Sequence, residues 1–386
     1  MTSASHPQAI LPGATLGLLG GGQLGRMTAL AARSLGYRIA VLDPDPNCAA
    51  APIADSIIVA AFDDADAARE LARRSAVVTY EIERIAPAVL QAVAEAGLLR
   101  PGAEVLSCIQ DRARQKRWLS GHGYPVGPWQ EVTTGADLQR ALSDLGPCRV
   151  KRTQGGYDGR AQVRVGQVAE AFEAMAQLKG PAVAEQELQL RQELSVLVAR
   201  SPQGQVVAHP AAANWHDDGV LGCSLFPAPI PRALAREATD LATSLAVALG
   251  VEGLLAVELF ITQAGALLVN ELSPRPHNTF HAAGAACATG QFEQFVRAVC
   301  GLPLGSTESQ GASVLVNLLG DLWLGPQPPL ESVLAIPGVS LHLYGKEPRP
   351  LRKVGHLTVV GASAAQALVR AEAAASLLEP QLPSAC

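Results

Sequence analysis

The chain lacks the paired cysteines of a zinc ribbon or a disulfide framework. Its seven cysteines, Cys48, Cys108, Cys148, Cys223, Cys287, Cys300 and Cys386, include no CxxC pair, and an odd, scattered set suits a reducing, cytoplasmic setting. A basic surplus is missing too. The 30 lysines and arginines against 35 aspartates and glutamates leave a net charge of −5, which argues against a nucleic-acid partner. It leaves room for small anionic ligands, since those need only a few local cations. The most apolar stretch, Leu241–Ile261, is broken by Gly250, Glu252, Gly253 and Glu258, so it reads as helix, turn and strand and not as a membrane span. Met1–Gly13 has neither the basic nor the apolar region of a secretion signal. The expectation is a cytoplasmic protein without membrane contact.

What is present is a globular composition. Across 386 residues 48% are apolar and 17% charged, enough to bury a sizeable core in two or three domains. The N-terminal part alternates strand Thr15–Leu19, helix Gln23–Leu35 closed by Gly36, strand Arg38–Leu42, and further strands Ile57–Val59 and Ala76–Thr79. Helix Asp64–Arg74 carries acids in its first turn and arginines in its last, as the helix dipole prefers. This alternation predicts a parallel sheet wrapped by helices.

A second unit starts near Asp111. Helix Asp111–Ser120 stops at Gly121–Pro125, and helices Asp137–Leu145 and Ala169–Leu178 then interleave with strands Arg149–Lys151, Gln162–Val165 and Ala182–Glu185. That pattern predicts a small α+β module. Beyond Glu193 the strands lengthen: Val196–Ala199, Leu254–Ile261, Leu267–Glu271, Ser313–Leu318 and Lys353–Val360, with helices Ala233–Leu249 and Phe292–Val299 between them. Gly325–Pro329 reads as a loop, and no internal repeat is present.

Two glycine clusters invite a chemical reading. Gly20, Gly22 and Gly25 match GxGxxG between a strand and a helix, and Asp43 ends the next strand. This is the pattern of a dinucleotide site, but it equally suits another phosphate at a helix N-terminus or a tight packing turn. The second cluster, Lys151–Arg160, delivers cations into a loop with three glycines that returns into a strand. Backbone N–H groups of such a loop can fold over a polyphosphate while Lys151 pairs with it from below; the alternative is a solvated hairpin.

Acids follow on two consecutive apolar strands, Glu258 in AVELF and Glu271 in LVNEL. Buried carboxylates need partners. A shared Mg²⁺, which prefers a few carboxylate oxygens plus phosphate and water, would serve both; individual basic partners are the other solution. Next come Arg275, His277 and Asn278, held between and after two prolines, a rigid polar cluster suited to an oxyanion. Lys346–His356 gathers four cations before a strand, either a local anion site or a surface turn. Thr79–Glu83 (TYEIE) puts two acids at the end of a parallel strand, the edge where open α/β sheets bind ligands.

In this order GGGQLGRM, TYEIE, GGYDGR, NELSPRPHN and RKVGH resemble the ATP-grasp superfamily, and within it the N5-carboxyaminoimidazole ribonucleotide synthetases of purine biosynthesis. The resemblance runs from about Thr15 to about Leu377. It implies an ATP-grasp fold of mixed α/β and α+β class. A Rossmann-like parallel-sheet domain would span residues 1–110, a small central α+β domain 111–190, and a C-terminal domain with antiparallel sheet 191–386, its small subdomain starting near 330. It further implies a homodimer using ATP, Mg²⁺, bicarbonate and 5-aminoimidazole ribonucleotide.

Carried over to this chain, Arg112 and Lys151 would contact ATP phosphates beneath the loop Gly156, Tyr157, Asp158, Gly159, Arg160, Ala161 and Gln162. Glu185, Gln186, Glu187 and Leu188 match the adenine hinge, Glu193 the ribose acid, His216 and Asn270 further nucleotide contacts, and Glu258 and Glu271 the Mg²⁺ ligands. Tyr157, Asp158, Arg160, Arg275, His277, Asn278, Arg352 and Lys353 match positions around the ribonucleotide and bicarbonate. Gly22, Gln23 and Leu24 fall on the acceptor side, with one of the acids of Thr79–Glu83, Glu81 ahead of Glu83, near the substrate amine. Arg275, His277, Asn278, Lys353 and Glu81 are the catalytic candidates.

The chain departs from the family pattern at Ala161 and Leu351, both commonly glycine, and at Thr279-Phe280-His281, commonly Ser-Gly-His. Alanine at 161 predicts a slightly stiffer loop. The competing readings are another ATP-grasp carboxylate–amine ligase, such as a formate-using glycinamide ribonucleotide transformylase, and an NAD-dependent oxidoreductase built on Gly20–Gly25.

Overall fold

The computed structural model describes residues 8–155, 161–217 and 220–378. The first unit is a four-stranded parallel sheet of β1 (Thr15–Leu19), β2 (Arg38–Asp43), β3 (Ser56–Val59) and β4 (Val77–Tyr80), in the order β3-β2-β1-β4. Helices Gln23–Ser34 and Ala65–Arg74 cross over between strands. The second helix starts where the Asp64 side chain accepts the N–H groups of Asp66 and Ala67, satisfying donors the helix itself leaves open.

The second unit is an antiparallel sheet of β5 (Trp129–Val132), β6 (Cys148–Arg152), β7 (Gln162–Val165) and β8 (Ala182–Gln186), in the order β5-β8-β6-β7. Helix Gly135–Leu145 opens on a reciprocal cap between Thr134 and Asp137. It packs with helix Ala171–Leu178 on the sheet through Leu138, Leu142, Met175 and Leu178.

The third unit is a nine-stranded sheet of β9 (Leu190–Arg200), β10 (Val206–Ala208), β11 (Ala212–Asp217), β12 (Val220–Phe226), β13 (Gly253–Thr262), β14 (Leu267–Ser273), β15 (Ala312–Leu319), β16 (Val339–Leu343) and β17 (Lys353–Gly361). Its main path runs β14-β13-β9-β11-β12-β15-β17-β16, with β10 paired to β9. β13 lies between β14 and β9 and is covered on both faces, which is why it reads as a nearly unbroken apolar run. Helix Arg232–Ala248 covers one face through Ala238, Ala242 and Leu245. On the other, Leu197, Phe226 and Phe295 join a core shared with Leu16, Ile39 and Val41 of the first unit. Arg100 fastens the same junction: it is 5% exposed, its Nε lies 2.8 Å from Glu252, and its Nη1 donates to the Val299 carbonyl at 2.9 Å. Among the described residues no helix is long and apolar enough to cross a membrane.

Candidate active site

A cleft of about 500 Å³ opens between the small sheet and the nine-stranded sheet. Its floor depends on a β-bulge. Glu258 on β13 pairs with Glu271 on β14, but the next pair is Leu259 with Val269, which leaves Asn270 as the extra residue. Strict alternation would send Asn270 and Glu271 to opposite faces. A bulge re-aims side chains, and here both line the cleft together with Glu258. The Asn270 amide donates to Glu258 Oε2 at 3.1 Å.

Each acid of the floor has its own nitrogen-bearing neighbour. His277 Nε2 lies 3.2 Å from Glu258, and Arg112 Nη2 lies 3.2 Å from Glu271. Burial works against the charge on Glu258, yet the hydrogen bond and charge of His277, with His216 and Lys151 beyond it, hold its carboxyl well below the usual range. Two carboxylates on adjacent strands, with the Asn270 amide turning its nitrogen to Glu258 and its oxygen to Lys151, offer oxygen donors from both acids. Mg²⁺ uses one or two carboxylates and completes its shell with phosphate and water. The residues therefore fit that ion, although no cluster of three or more His, Cys, Asp or Glu ligands occurs among the described residues.

Lys151 rises from β6 beside this floor. Its Nζ donates to Glu185 at 2.9 Å and to the Asn270 side-chain oxygen at 3.3 Å. Lys116, 4% exposed on helix Arg112–Gly121, approaches the same Glu185 at 3.5 Å. Burial raises the Glu185 carboxyl, and the two lysines outweigh it, so the net shift is downward. Lys116 itself is pushed down, chiefly by burial. Sequence reasoning missed Lys116 because it sits in RARQKR, a segment so polar that no residue stands out as buried.

The remaining nucleotide-side candidates are in place around the cleft. Gln162, Gln186 and Leu188 line it. Glu187 is held ionised by Arg164 at 2.7 Å and Arg149 at 3.5 Å. Glu193 Oε2 lies 3.0 Å from His216 Nδ1; burial lowers the histidine, but the bond to Glu193 wins and raises it. Ala161 keeps the left-handed backbone of a glycine, with φ 58°. Gly156, Tyr157, Asp158, Gly159 and Arg160 lie outside the described residues.

On the other side stand Arg275, His277, Asn278 and Lys353. Arg275 Nη2 lies 2.9 Å from Glu83, just beyond β4. Asn278 donates to Asn317 at 3.1 Å, a β15 residue that sequence reasoning did not single out. Arg352 donates to the Glu347 carbonyl at 3.0 Å. Glu81 and the glycine loop sit further back. Glu81 is 6% exposed and accepts the Gly22 N–H at 2.7 Å, while Asp43 accepts the Gly21 N–H at 2.7 Å. Burial pushes the Glu81 carboxyl up, with the Gly22 bond and Arg275 opposing. Gln23 meets Lys346 from the C-terminal part of the chain, and Leu24 is buried behind it.

The loop at Gly20–Gly25 therefore spends its amides on the protein's own carboxylates. A Cβ on Gly20, whose φ is 100°, would fall 2.9 Å from Glu81. A dinucleotide needs those amides for pyrophosphate and Asp43 for ribose, so this arrangement disfavours the oxidoreductase reading.

Comparison with known proteins agrees with the geometry. Family models described as a ribonucleotide synthetase preATP-grasp domain, an ATP-grasp domain and a phosphoribosylaminoimidazole carboxylase C-terminal domain match residues 13–110, 117–292 and 313–370. The chain is an ATP-grasp enzyme, an ATP-dependent carbon–nitrogen ligase. A Bacillus subtilis protein named N5-carboxyaminoimidazole ribonucleotide synthase is 40% identical over 356 residues, covering 91% of this chain and 92% of its own. A Staphylococcus aureus N5-carboxyaminoimidazole synthetase crystallised with ADP superposes with a TM-score of 0.90 at 33% identity, covering 96% of this chain and all (100%) of that one. The Aspergillus clavatus enzyme in complex with ADP and 5-aminoimidazole ribonucleotide gives 0.88 at 30% identity, covering 95% and 99%. This chain belongs to the N5-carboxyaminoimidazole ribonucleotide synthase family.

Proposed function

We propose that the cleft uses ATP to phosphorylate bicarbonate and passes the carboxyl group to the exocyclic amine of 5-aminoimidazole ribonucleotide. The products are N5-carboxyaminoimidazole ribonucleotide, ADP and phosphate. The observation that carries this reading is the floor: Glu258, Asn270 and Glu271 converge between Lys151 on one side and Arg275–Asn278 on the other.

On the nucleotide side Glu193 would take the ribose hydroxyls and Glu185–Leu188 the adenine edge. Lys151 and Arg112 would bind the phosphates and neutralise charge on the phosphoryl group as it transfers. Glu258 and Glu271 would hold Mg²⁺, which when bound polarises phosphate oxygens and offsets their charge. A bicarbonate oxygen attacks the γ-phosphorus, the bond to the β-phosphate oxygen breaks, and ADP leaves from carboxyphosphate. The amine nitrogen then bonds to the carboxyl carbon, directly or after CO₂ is released, and phosphate departs.

On the acceptor side Arg275 would hold the acyl phosphate, and His277 or a nearby acid would manage the amine's proton. Asn278, Arg352, Lys353 and Glu81, with Gly22–Leu24 behind them, would position the ribonucleotide. Tyr157, Asp158 and Arg160 belong to the same proposal on sequence grounds alone. Because carboxyphosphate hydrolyses readily, the loop above Lys151 would serve to exclude water.

The test is ADP formation by the purified protein with and without bicarbonate and ribonucleotide. Turnover that requires both supports the reading; turnover indifferent to added ribonucleotide defeats it. Formate substituting for bicarbonate would favour the transformylase class. The division at 1–110, 111–190 and 191–386 is likewise proposed, supported by one sheet in each part. A homodimer in the cytoplasm completes the proposal, and sedimentation velocity would test the dimer.

A further inference from the structure

We infer that Gln291 is a positioning residue for His277, and that the same carboxamide fixes the proton of His281 on Nε2. Gln291 opens helix Gln291–Cys300 and is 1% exposed. Its Oε1 accepts the backbone N–H of His277 at 2.8 Å, and its Nε2 lies 2.9 Å from His281 Nδ1. A backbone N–H can only donate, so the amide oxygen must face it and the amide nitrogen must face His281. An amide nitrogen can only donate. His281 Nδ1 therefore accepts, and the ring is neutral with its proton on Nε2.

The surroundings of His281 disfavour a charged ring, and its Nε2 finds no hydrogen-bond partner among the described residues. The ring is stacked between Phe292 at 5.5 Å and His356 at 4.4 Å, and His356 is stacked in turn on His342 at 4.6 Å. Burial first, then His342, His277 and Lys353, push His281 down to about 3. A charged imidazole there would have to donate from Nδ1 toward a group that is itself a donor.

The bond matters because of what His277 follows. Pro274 and Pro276 contribute no N–H to fix the segment, which leaves the backbone donors of Arg275 and His277, and Gln291 holds that of His277. The His277 ring is then set by two further contacts, Thr279 Oγ1 at 2.9 Å from Nδ1 and Glu258 at 3.2 Å from Nε2. Gln291 does not line the cleft, and of its two partners it is His277 that does. The helix it opens packs against helix Gln23–Ser34, which ties His277 to the junction with the first unit.

This inference rests on the proposed proton-handling role of His277. Gln291→Met removes both bonds at similar volume. It should lower kcat for bicarbonate- and ribonucleotide-dependent ADP formation about tenfold or more, the loss of roughly one buried hydrogen bond, while the KM for ATP stays within about twofold. Gln291→Glu keeps the acceptor for His277 and should recover most of kcat. In histidine-selective ¹⁵N spectra of the wild-type protein, His281 Nδ1 should show the shift of an unprotonated ring nitrogen.

A folded Gln291→Met variant with unchanged kcat would overturn the proposal. If that variant does not fold, the spectrum decides, and a protonated His281 Nδ1 would overturn it instead. His277→Ala separates the two levels. If it keeps full kcat, the reading of His277 fails and the positioning role fails with it. If it loses activity while Gln291→Met keeps it, only the present inference fails.

Discussion

Glu258 and Glu271 stand opposite one another on β13 and β14, yet each carboxylate leans on a different side chain, His277 for the first and Arg112 for the second, both at 3.2 Å. The Glu258 carboxyl is held well below its usual range and both acids line one cleft, where a divalent ion shared by two carboxylates is favourable. Glu271→Gln removes one charge with little change of shape. It should lower ATP turnover on the order of a hundredfold or more and shift the Mg²⁺ dependence to higher concentration. A metal titration of the variant checks this; full activity at unchanged Mg²⁺ would contradict the assignment.

Glu185 is the carboxylate shared by Lys151 and Lys116. Its folded pKa lies below its ordinary value because the lysines outweigh burial. The stability it contributes is present above the unfolded pKa of about 4.3 and is lost as pH falls through the lower folded value. Glu185→Gln leaves the buried Lys116 without its partner and should cost about 3 kcal/mol at pH 7. Urea unfolding between pH 7 and pH 3 should show the variant losing less stability on acidification than the parent.

The His216–Glu193 pair has the opposite sign. Its bond to Glu193 raises His216 above the ordinary histidine value despite burial. Its contribution to stability is full below about pH 6.5 and declines as pH rises through the raised folded value. In Glu193→Gln burial should take over and bring the His216 pKa below about 6.5. A proton NMR titration of the imidazole reads the change directly, and an unmoved pKa would show that Glu193 is not its cause.

Ala161 and Leu351 each carry φ 58°, at positions where the resemblance predicts glycine. The left-handed backbone is retained and the side chain bears the steric cost. Leu351 is 63% exposed, so little packing is lost on removing it. Leu351→Gly should stabilise the protein by up to about 1 kcal/mol, after allowing for the added freedom of the unfolded chain. Chemical denaturation of the variant measures this, and a destabilisation would mean the side chain is held by packing instead.

Local sequence signals determined much of the fold. Strands Thr15–Leu19 and Gln162–Val165 fall where apolar runs end at turn residues, and helix Ala65–Arg74 starts at a residue able to cap it. Two strands, Ala212–Asp217 and Val220–Phe226, escaped because their sequences, AANWHD and VLGCSLF, mix small, polar and apolar residues without a regular alternation. Helix Ala364–Leu378 escaped for a different reason. Its buried face is mostly alanine, Ala367, Ala371, Ala374 and Ala375, which gives little contrast with the exposed face.

The sequence by itself determined which residues could do chemistry here: the acids in apolar strands, the cations before the glycine loop, the polar cluster pinned by prolines. Those are properties of residue type and spacing. Only the tertiary structure decided how they are used. It takes a bulge to turn Asn270 and Glu271 to the same face as Glu258, and a sheet edge to let Asp43 and Glu81 fill the glycine loop. The burial of Lys116 against Glu185 and the grip of Gln291 on His277 are likewise long-range contacts. Each depends on where a distant strand or helix comes to rest, and no periodicity along the chain encodes that.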